Sequence, residues 1–506
     1  MGRQNPFREE GERIRREPLR LLLHLSVLAA LVLNLWLVQY HEPVRDEAQS
    51  WLIARDTGPL AIFQVLSYEG HPVLWYYLLM PFAKLGFPYG TCRVLSQLLT
   101  AGVILTLAYR SPFCIPMRAA LVLSGLTLYR CACFGRSYAL LAFLTVRLCC
   151  RYGSRHEKPL PYVLLIAALI QTHLLAIGFA FGLCAAYLVE ELAAHRRPFA
   201  SLVRRLLPLL LPLASALLLL FELRDVSSAD VMQVRSRPLP PFFRYCASSS
   251  LTTLLGKAAP VFIVLLLLFV LLLLLCRRRF AAELATLLLA WLAAAAVLST
   301  SVSPAFYRVM PLGFFFVWFL WSLREKAPPL PARTEVPARR AALPDLLLRL
   351  CGTALLLVFL AGIDYAVLYG SENGNLVQDI RYVYSDSRGA AAAIAALPED
   401  AVVVESLEDV CNAVVAFLPP GRIVNPFLDE PASYANRNRD LPHRMSWNIF
   451  QRYCHRSFRG KEEFYLLYTP ACAIKGLPVE AFEVVYEPQG EVATSEWFKL
   501  LRIPVS

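Results

Sequence analysis

Between Val44 and Pro72 the chain reads VRDEAQSWLIARDTGPLAIFQVLSYEGHP, four acids and a histidine in one short stretch after a long apolar run. Asp46 and Glu47 open it; Glu69 and His71 close it. A carboxylate just past the end of an apolar run is partly desolvated yet open to a polar molecule, a setting in which it can take or give a proton. Further on, polar side chains recur at the ends of apolar runs: Arg93 at a helix start, Arg136 and Tyr138 in RSY, His173 in QTH and Arg308 in AFYRVMP. A guanidinium grips phosphate through two parallel hydrogen bonds, so these arginines, Arg308 foremost, could bind an anionic group. The same residues have plainer uses. Arg93 and Arg136 read equally as interfacial anchors, and His173 as a polar cap on a helix turn. Trp51, Trp75, Tyr76 and Tyr77 read as an aromatic belt at a membrane surface in preference to a sugar-stacking platform.

The elements that must position these residues are membrane helices. Of 506 residues 57% are hydrophobic and 17% charged, more apolar side chain than a water-soluble globule of that size buries. A formal charge of +12 would suit nucleic acid, but the Lys and Arg fall in short clusters between apolar runs, the pattern of cytoplasmic loops. Apolar runs predict helices over Leu21–Val38, Val94–Tyr109, Ala119–Phe134, Tyr138–Cys150, Pro161–Ile170, Leu174–Val189, Leu206–Phe221, Val261–Cys276, Ala281–Leu298, Tyr307–Leu323 and Leu346–Leu368. Tyr138–Cys150 and Pro161–Ile170 are short against an apolar layer of ~30 Å. Val73–Phe87 decides the topology. If this run, interrupted by Pro81 and carrying Lys84, lies along or dips into the outer interface, the N-terminal tail and the links facing the cytoplasm hold 25 Lys and Arg against 10 in the outside loops before the last span. The positive-inside rule selects that arrangement.

The expected fold is therefore mainly α: a polytopic membrane helix bundle of about 11 spans, with an interfacial helix in the first outer loop and a small C-terminal α/β domain. Its expected parts are a cytoplasmic tail (1–20), a transmembrane domain (21–368) containing the outer loop 39–93, and an extracytoplasmic domain (369–506). The first helix reads as retained, because no small-residue cleavage site follows it. In the last part, strand-like runs (Ala401–Glu405, Gly421–Val424, Phe464–Tyr468, Phe482–Tyr486) alternate with helical ones (Arg388–Leu397, and Leu407–Phe417 with Ser406 as N-cap), as an α/β domain requires. No Cys/His spacing matches a zinc site. Cys411, Cys454 and Cys472 could supply one disulfide and leave one thiol over, with the pair undetermined.

Taken in order, DEAQSW after the first helix, YEGHPVLWYY, RVLSQLL at a helix start, RSY and AFYRVMP resemble the GT-C superfamily of polyprenyl-phosphate-dependent glycosyltransferases. The branch is that of the protein O-mannosyltransferases and the bacterial lipid A aminoarabinose transferases, and the likeness runs from Leu21 to Leu323. It implies a multi-pass enzyme of a bacterial cytoplasmic (plasma) membrane that moves a sugar from a polyprenyl-phosphate donor to an extracytoplasmic glycan, lipid or protein. It implies Asp46 as the general base of an inverting transfer, with Glu47 and Glu69 orienting hydroxyls or helping to hold a metal. His71, Arg93, Arg136, Tyr138, His173 and Arg308 would bind substrate. No cofactor is identified; the acids could position a divalent ion or act through hydrogen bonds alone. Two other classes are weighed against it. A transporter or flippase should show related halves and charged or broken helices at mid-membrane, and no internal repeat is found. A non-catalytic scaffold with an outer sensing domain has no reason to gather Asp46, Glu47, Glu69 and Arg308 on one side.

Overall fold

The computed structural model describes residues 6–193, 199–226, 239–276, 280–301, 305–326, 339–370, 375–438, 440–492 and 496–505. The Arg277–Arg279 cluster and the middle of the Arg324–Arg349 link lie outside them. Among the described residues eight helices are long and apolar enough to cross a membrane: Glu17–Tyr40, Thr91–Arg110, Leu174–Ala193, Phe199–Glu222, Phe243–Leu275, Ala281–Ser299, Phe306–Lys326 and Leu346–Tyr369. The chain is a mainly helical, multi-pass membrane protein. Tyr138–Tyr152 and Pro159–Ile170 are helices of 15 and 12 residues, about 22 and 18 Å long at 1.5 Å per residue, as short as the sequence indicates.

Ala119–Phe134 is not one helix. Ile115–Val122 stops, turns follow, and a single turn forms at Arg130–Cys133. Side chains from distant helices satisfy the unwound backbone. Asn34 donates to the Thr127 carbonyl at 3.0 Å and accepts the Tyr129 N–H at 2.9 Å, and Asp364 accepts the Gly125 N–H at 2.6 Å. Irregular backbone at membrane depth survives only when protein covers it in this way. Hydropathy also passes over the helix Leu239–Leu255, whose Ser and Thr residues lower its apolar content. Their hydroxyls bond carbonyls one turn back, Ser249 to Tyr245 at 2.6 Å and Thr252 to Ser249 at 3.0 Å, so they add no unmet polar group.

Packing follows side-chain size. Lipid tails are as apolar as leucine, so helices associate by close contact rather than by leaving water. Gly178 and Gly182, one turn apart, let the helix Ile177–Ala193 press onto Ala281–Ser301: a Cβ at Gly178 would sit 2.4 Å from the Ala293 Cβ, and one at Gly182 2.8 Å from Thr286. Phe306–Lys326 is the inner helix, with Phe315 stacked on Phe179 at 4.2 Å and Trp318 and Trp321 fully buried. It carries Arg308 in its first turn.

The first loop folds into three short helices, Arg45–Asp56, Ile62–Glu69 and Leu74–Lys84. The last runs through Pro81, which the sequence reading took as an interruption, and at 11 residues it is about 16 Å long, too short to cross. Trp51, Trp75 and Tyr76 are 2% exposed. They are core rather than an interfacial belt, because the loop is itself packed from both sides.

The C-terminal part is an α/β layer. Strands β1 (Val403–Glu405), β2 (Val424–Asn425), β3 (Glu430–Pro431), β5 (Glu463–Tyr468), β7 (Glu483–Tyr486) and β8 (Lys499–Pro504) form one sheet in the order β3-β2-β1-β5-β8-β7. β4 (Met445–Ser446) and β6 (Ile474–Lys475) pair separately. β1 runs parallel to β2 and β5 and is buried along its length. Three details correct the sequence reading. β2 starts at Val424, because Pro419–Arg422 form a turn closed by the Arg422 N–H on the Pro419 carbonyl at 3.3 Å. Leu407, not Ser406, is the N-cap of the helix Glu408–Val415, since the Ser406 hydroxyl accepts the Thr469 N–H at 3.2 Å. Cys411, Cys454 and Cys472 are all free thiols; Cys411 instead donates to the Leu467 carbonyl.

Candidate active site

Val44, in extended conformation, caps the helix Arg45–Asp56, which places Asp46 and Glu47 in its first turn, where the helix dipole favours negative charge. The two neighbours face different surroundings. Glu47 is fully buried and its carboxylate is saturated by the chain: the Val44 N–H at 3.0 Å, the Gly135 N–H at 2.6 Å and the His41 Nε2 at 2.9 Å. These contacts hold it below the usual carboxylate range against the cost of burial. A side chain at position 135 would meet Cys92 Sγ at 2.8 Å and Glu47 Oε1 at 2.9 Å, so glycine is needed for the RSY loop to approach. Arg93 donates to the His41 carbonyl at 3.0 Å, which puts it with this support and not beside Asp46.

Asp46 is only half-buried, and among the described residues nothing donates to its carboxylate oxygens. Desolvation would raise it, but Arg136 first, then Arg45, Arg308 and Arg437, hold it below the ordinary aspartate value. Arg136 reaches it through the helix: its guanidinium donates to the Asp46 carbonyl, to the Ser50 hydroxyl at 3.1 Å and to His71 Nε2 at 2.8 Å. His71 therefore accepts on Nε2 and carries its proton on Nδ1. Burial and the same arginines drive His71 well below the normal imidazole value and His173 down to about 3, so both rings are neutral. They lie 5.4 Å apart. His173 accepts the Leu175 N–H at 3.2 Å, capping a helix turn, and its ring also faces Tyr138 at 5.1 Å. Tyr138 and Phe134 border Tyr307, over which the Arg308 guanidinium lies at 5.0 Å. Asp46, His71, Arg136, Tyr138, His173 and Arg308 thus share one region.

Glu69 joins from the next helix, and with it come residues the sequence did not single out. Its carboxylate accepts from Gln49 Nε2 at 2.6 Å and pairs with Arg437 Nε at 3.7 Å; burial raises it above the ordinary glutamate value despite Arg437. Gln49 also donates to the Ala435 carbonyl at 2.7 Å and accepts from the Ala435 N–H and Asn412, each at 2.8 Å. Arg437 continues to Asp409 at 2.6 Å, and Asp409 to Arg45 at 3.3 Å. The C-terminal layer is in this way part of the site. Gln49 was findable, because i+3 from Asp46 falls on the same helix face. Arg437, inside ANRNRD, has no local pattern that separates it from a solvated loop. Among the described residues no group of three or more His, Cys, Asp or Glu is placed to hold a metal ion.

No family model and no curated protein matches the chain. Among solved structures it is similar to ArnT from Cupriavidus metallidurans in the apo state, with a TM-score of 0.50 and 14% identity over 94% of this chain and 97% of that one. The structure of the same protein bound to undecaprenyl phosphate gives 0.46 at the same identity and coverage. At that identity the likeness concerns the fold, and it covers both the helical bundle and the C-terminal layer. The fold expected from the sequence is borne out: a mainly helical membrane bundle with a small C-terminal α/β layer, similar in fold to ArnT.

Proposed function

We infer that the chain is an integral membrane glycosyltransferase of GT-C type. It transfers a monosaccharide from a polyprenyl-phosphate donor to a cell-envelope glycan, lipid or protein outside the cytoplasmic membrane. The observation that carries this reading is Asp46: a half-buried carboxylate that accepts no hydrogen bond among the described residues and is held below the ordinary aspartate value by Arg136, Arg45, Arg308 and Arg437. A base with guanidiniums nearby to face the leaving group is what displacement of a phosphate from a sugar needs. The acceptor hydroxyl oxygen attacks the anomeric carbon and gives its proton to Asp46. The bond from that carbon to the phosphate oxygen breaks, and its electron pair leaves with the lipid phosphate, whose charge Arg308 and Arg136 meet. The anomeric configuration inverts. A transition state of oxocarbenium character makes the hydroxyl acidic only late, so a weakly basic carboxylate suffices and its charge also stabilises the sugar cation. Neutral His71 and His173, with Tyr138, offer hydrogen bonds to sugar hydroxyls without adding charge, and the Glu69 carboxylate can accept from them. Glu47 and Arg93 serve as positioning residues.

The N-terminus is assigned to the cytoplasm and the C-terminal layer, which closes over Asp46, to the outer side. The test is sugar transfer from a polyprenyl-phosphate donor in membranes by wild type and Asp46→Asn; retained turnover in the variant would remove Asp46 from the role of base.

A further inference from the structure

We propose that the end of the bundle opposite Asp46 holds an anionic phospholipid. The site is a cavity of about 950 Å³ lined by the helices Ala259–Leu275, Ala281–Ser301, Phe306–Lys326 and Arg339–Tyr369, a size at which sites enclose organic ligands. Its walls are apolar, with Phe113, Met117, Phe269, Leu273, Leu320 and Leu348, and its rim carries Arg324, Lys326 and Arg349.

The acids on this lining are already engaged. Glu190 accepts from Arg155 at 2.6 Å and His156 at 3.0 Å. Glu283 accepts from the Tyr152 hydroxyl at 2.7 Å and pairs with Lys326. Arg324 and Arg349 come from different helices and lie close enough to feel each other's charge. Among the described residues no carboxylate pairs with either. Two like charges at the mouth of an apolar cavity repel; a phosphate shared between them turns that repulsion into two charge-assisted contacts.

The apolar walls select a lipid over a free anion, since acyl chains fill them and inorganic phosphate does not. The sugar donor is a poor occupant. Arg308 and Arg324 sit on one helix, sixteen residues or about 24 Å apart. A donor phosphate held near Arg308 would present only uncharged hydrocarbon at this depth. Basic pockets between helices at a cytoplasmic face are suited to anionic headgroups.

The test uses the full chain in nanodiscs of phosphatidylcholine with a minority of phosphatidylglycerol, and counts the lipids retained after delipidation by native mass spectrometry. Wild type is expected to keep phosphatidylglycerol several-fold over phosphatidylcholine, and Arg324→Gln/Arg349→Gln to lose that preference. Should this variant fail to fold, Leu273→Trp, which fills the cavity and spares both guanidiniums, is expected to lose the retained lipid. Equal retention of the two lipids by wild type, an unchanged preference in the variants, or displacement of the lipid by inorganic phosphate would overturn the proposal. The readout is independent of sugar transfer, so it stands or falls apart from the reading of Asp46.

Discussion

Asp46 and Glu47 are adjacent, acidic and in the same helical turn, yet their chemistry differs because one carboxylate is consumed by the fold and the other is left open. Glu47→Ala removes the acceptor of two backbone N–H groups and the partner of buried His41. Breaking a buried pair of this kind costs about 3 kcal/mol or more, so thermal unfolding in detergent should show a marked loss of stability. Asp46→Asn should leave stability nearly unchanged and lower transfer by about 10²–10⁴-fold, the usual worth of a positioned base, as read from single-turnover kinetics at saturating donor. Arg437→Ala should raise KM and lower kcat together, by roughly tenfold, because it releases Glu69 and removes one of the charges that keep Asp46 ionised; Arg437→Lys should recover part of both. The acidic pair was legible in the sequence. The choice of Asp46 over Glu47 comes only from the resemblance; the physical difference between the two was not legible, since it depends on Gly135, 88 residues away, reaching Glu47 and not Asp46.

At the scale of elements, the helix Arg45–Asp56 is held on one side by the RSY loop and on the other by the C-terminal layer. That second contact carries a pH dependence. Glu496 is buried, accepts the Arg45 N–H at 3.1 Å and has its carboxyl pushed up to about 7, by burial above all. An acid raised in the folded state binds its proton more tightly there, so its contribution is complete below its ordinary value of 4.5 and fades as pH rises through about 7. Stability should therefore decline across that window, and Glu496→Gln should flatten the decline in thermal melts taken at successive pH values. Periodicity found most of these elements, including the two short helices Tyr138–Tyr152 and Pro159–Ile170. It failed at Ala119–Phe134, which is mostly apolar but breaks around Ser124, Gly125 and Thr127, where Asn34 and Asp364 pair with its backbone from other helices. It failed also at Leu239–Leu255, where hydroxyl groups dilute the apolar signal.

Over the whole molecule, carboxylates from the first loop, arginines from the middle and end of the bundle and Arg437 from the C-terminal layer converge on one place. The bundle and the outer loop could be read from composition and charge. The closing role of the C-terminal layer could not, because Gln49 and Arg437 meet across 388 positions of chain through Glu69. The assigned orientation predicts that the naturally exposed Cys114 reacts with a membrane-impermeant maleimide only after right-side-out vesicles are opened, whereas Ser457→Cys in the outer layer reacts before. The central claim is tested most directly by the release of polyprenyl phosphate from a polyprenyl-phosphate sugar by the purified chain with its acceptor present. Wild type should release it, and Asp46→Asn should bind the donor with unchanged affinity yet release it at least a hundredfold more slowly, in line with the loss of a base; equal rates for the two would contradict the account.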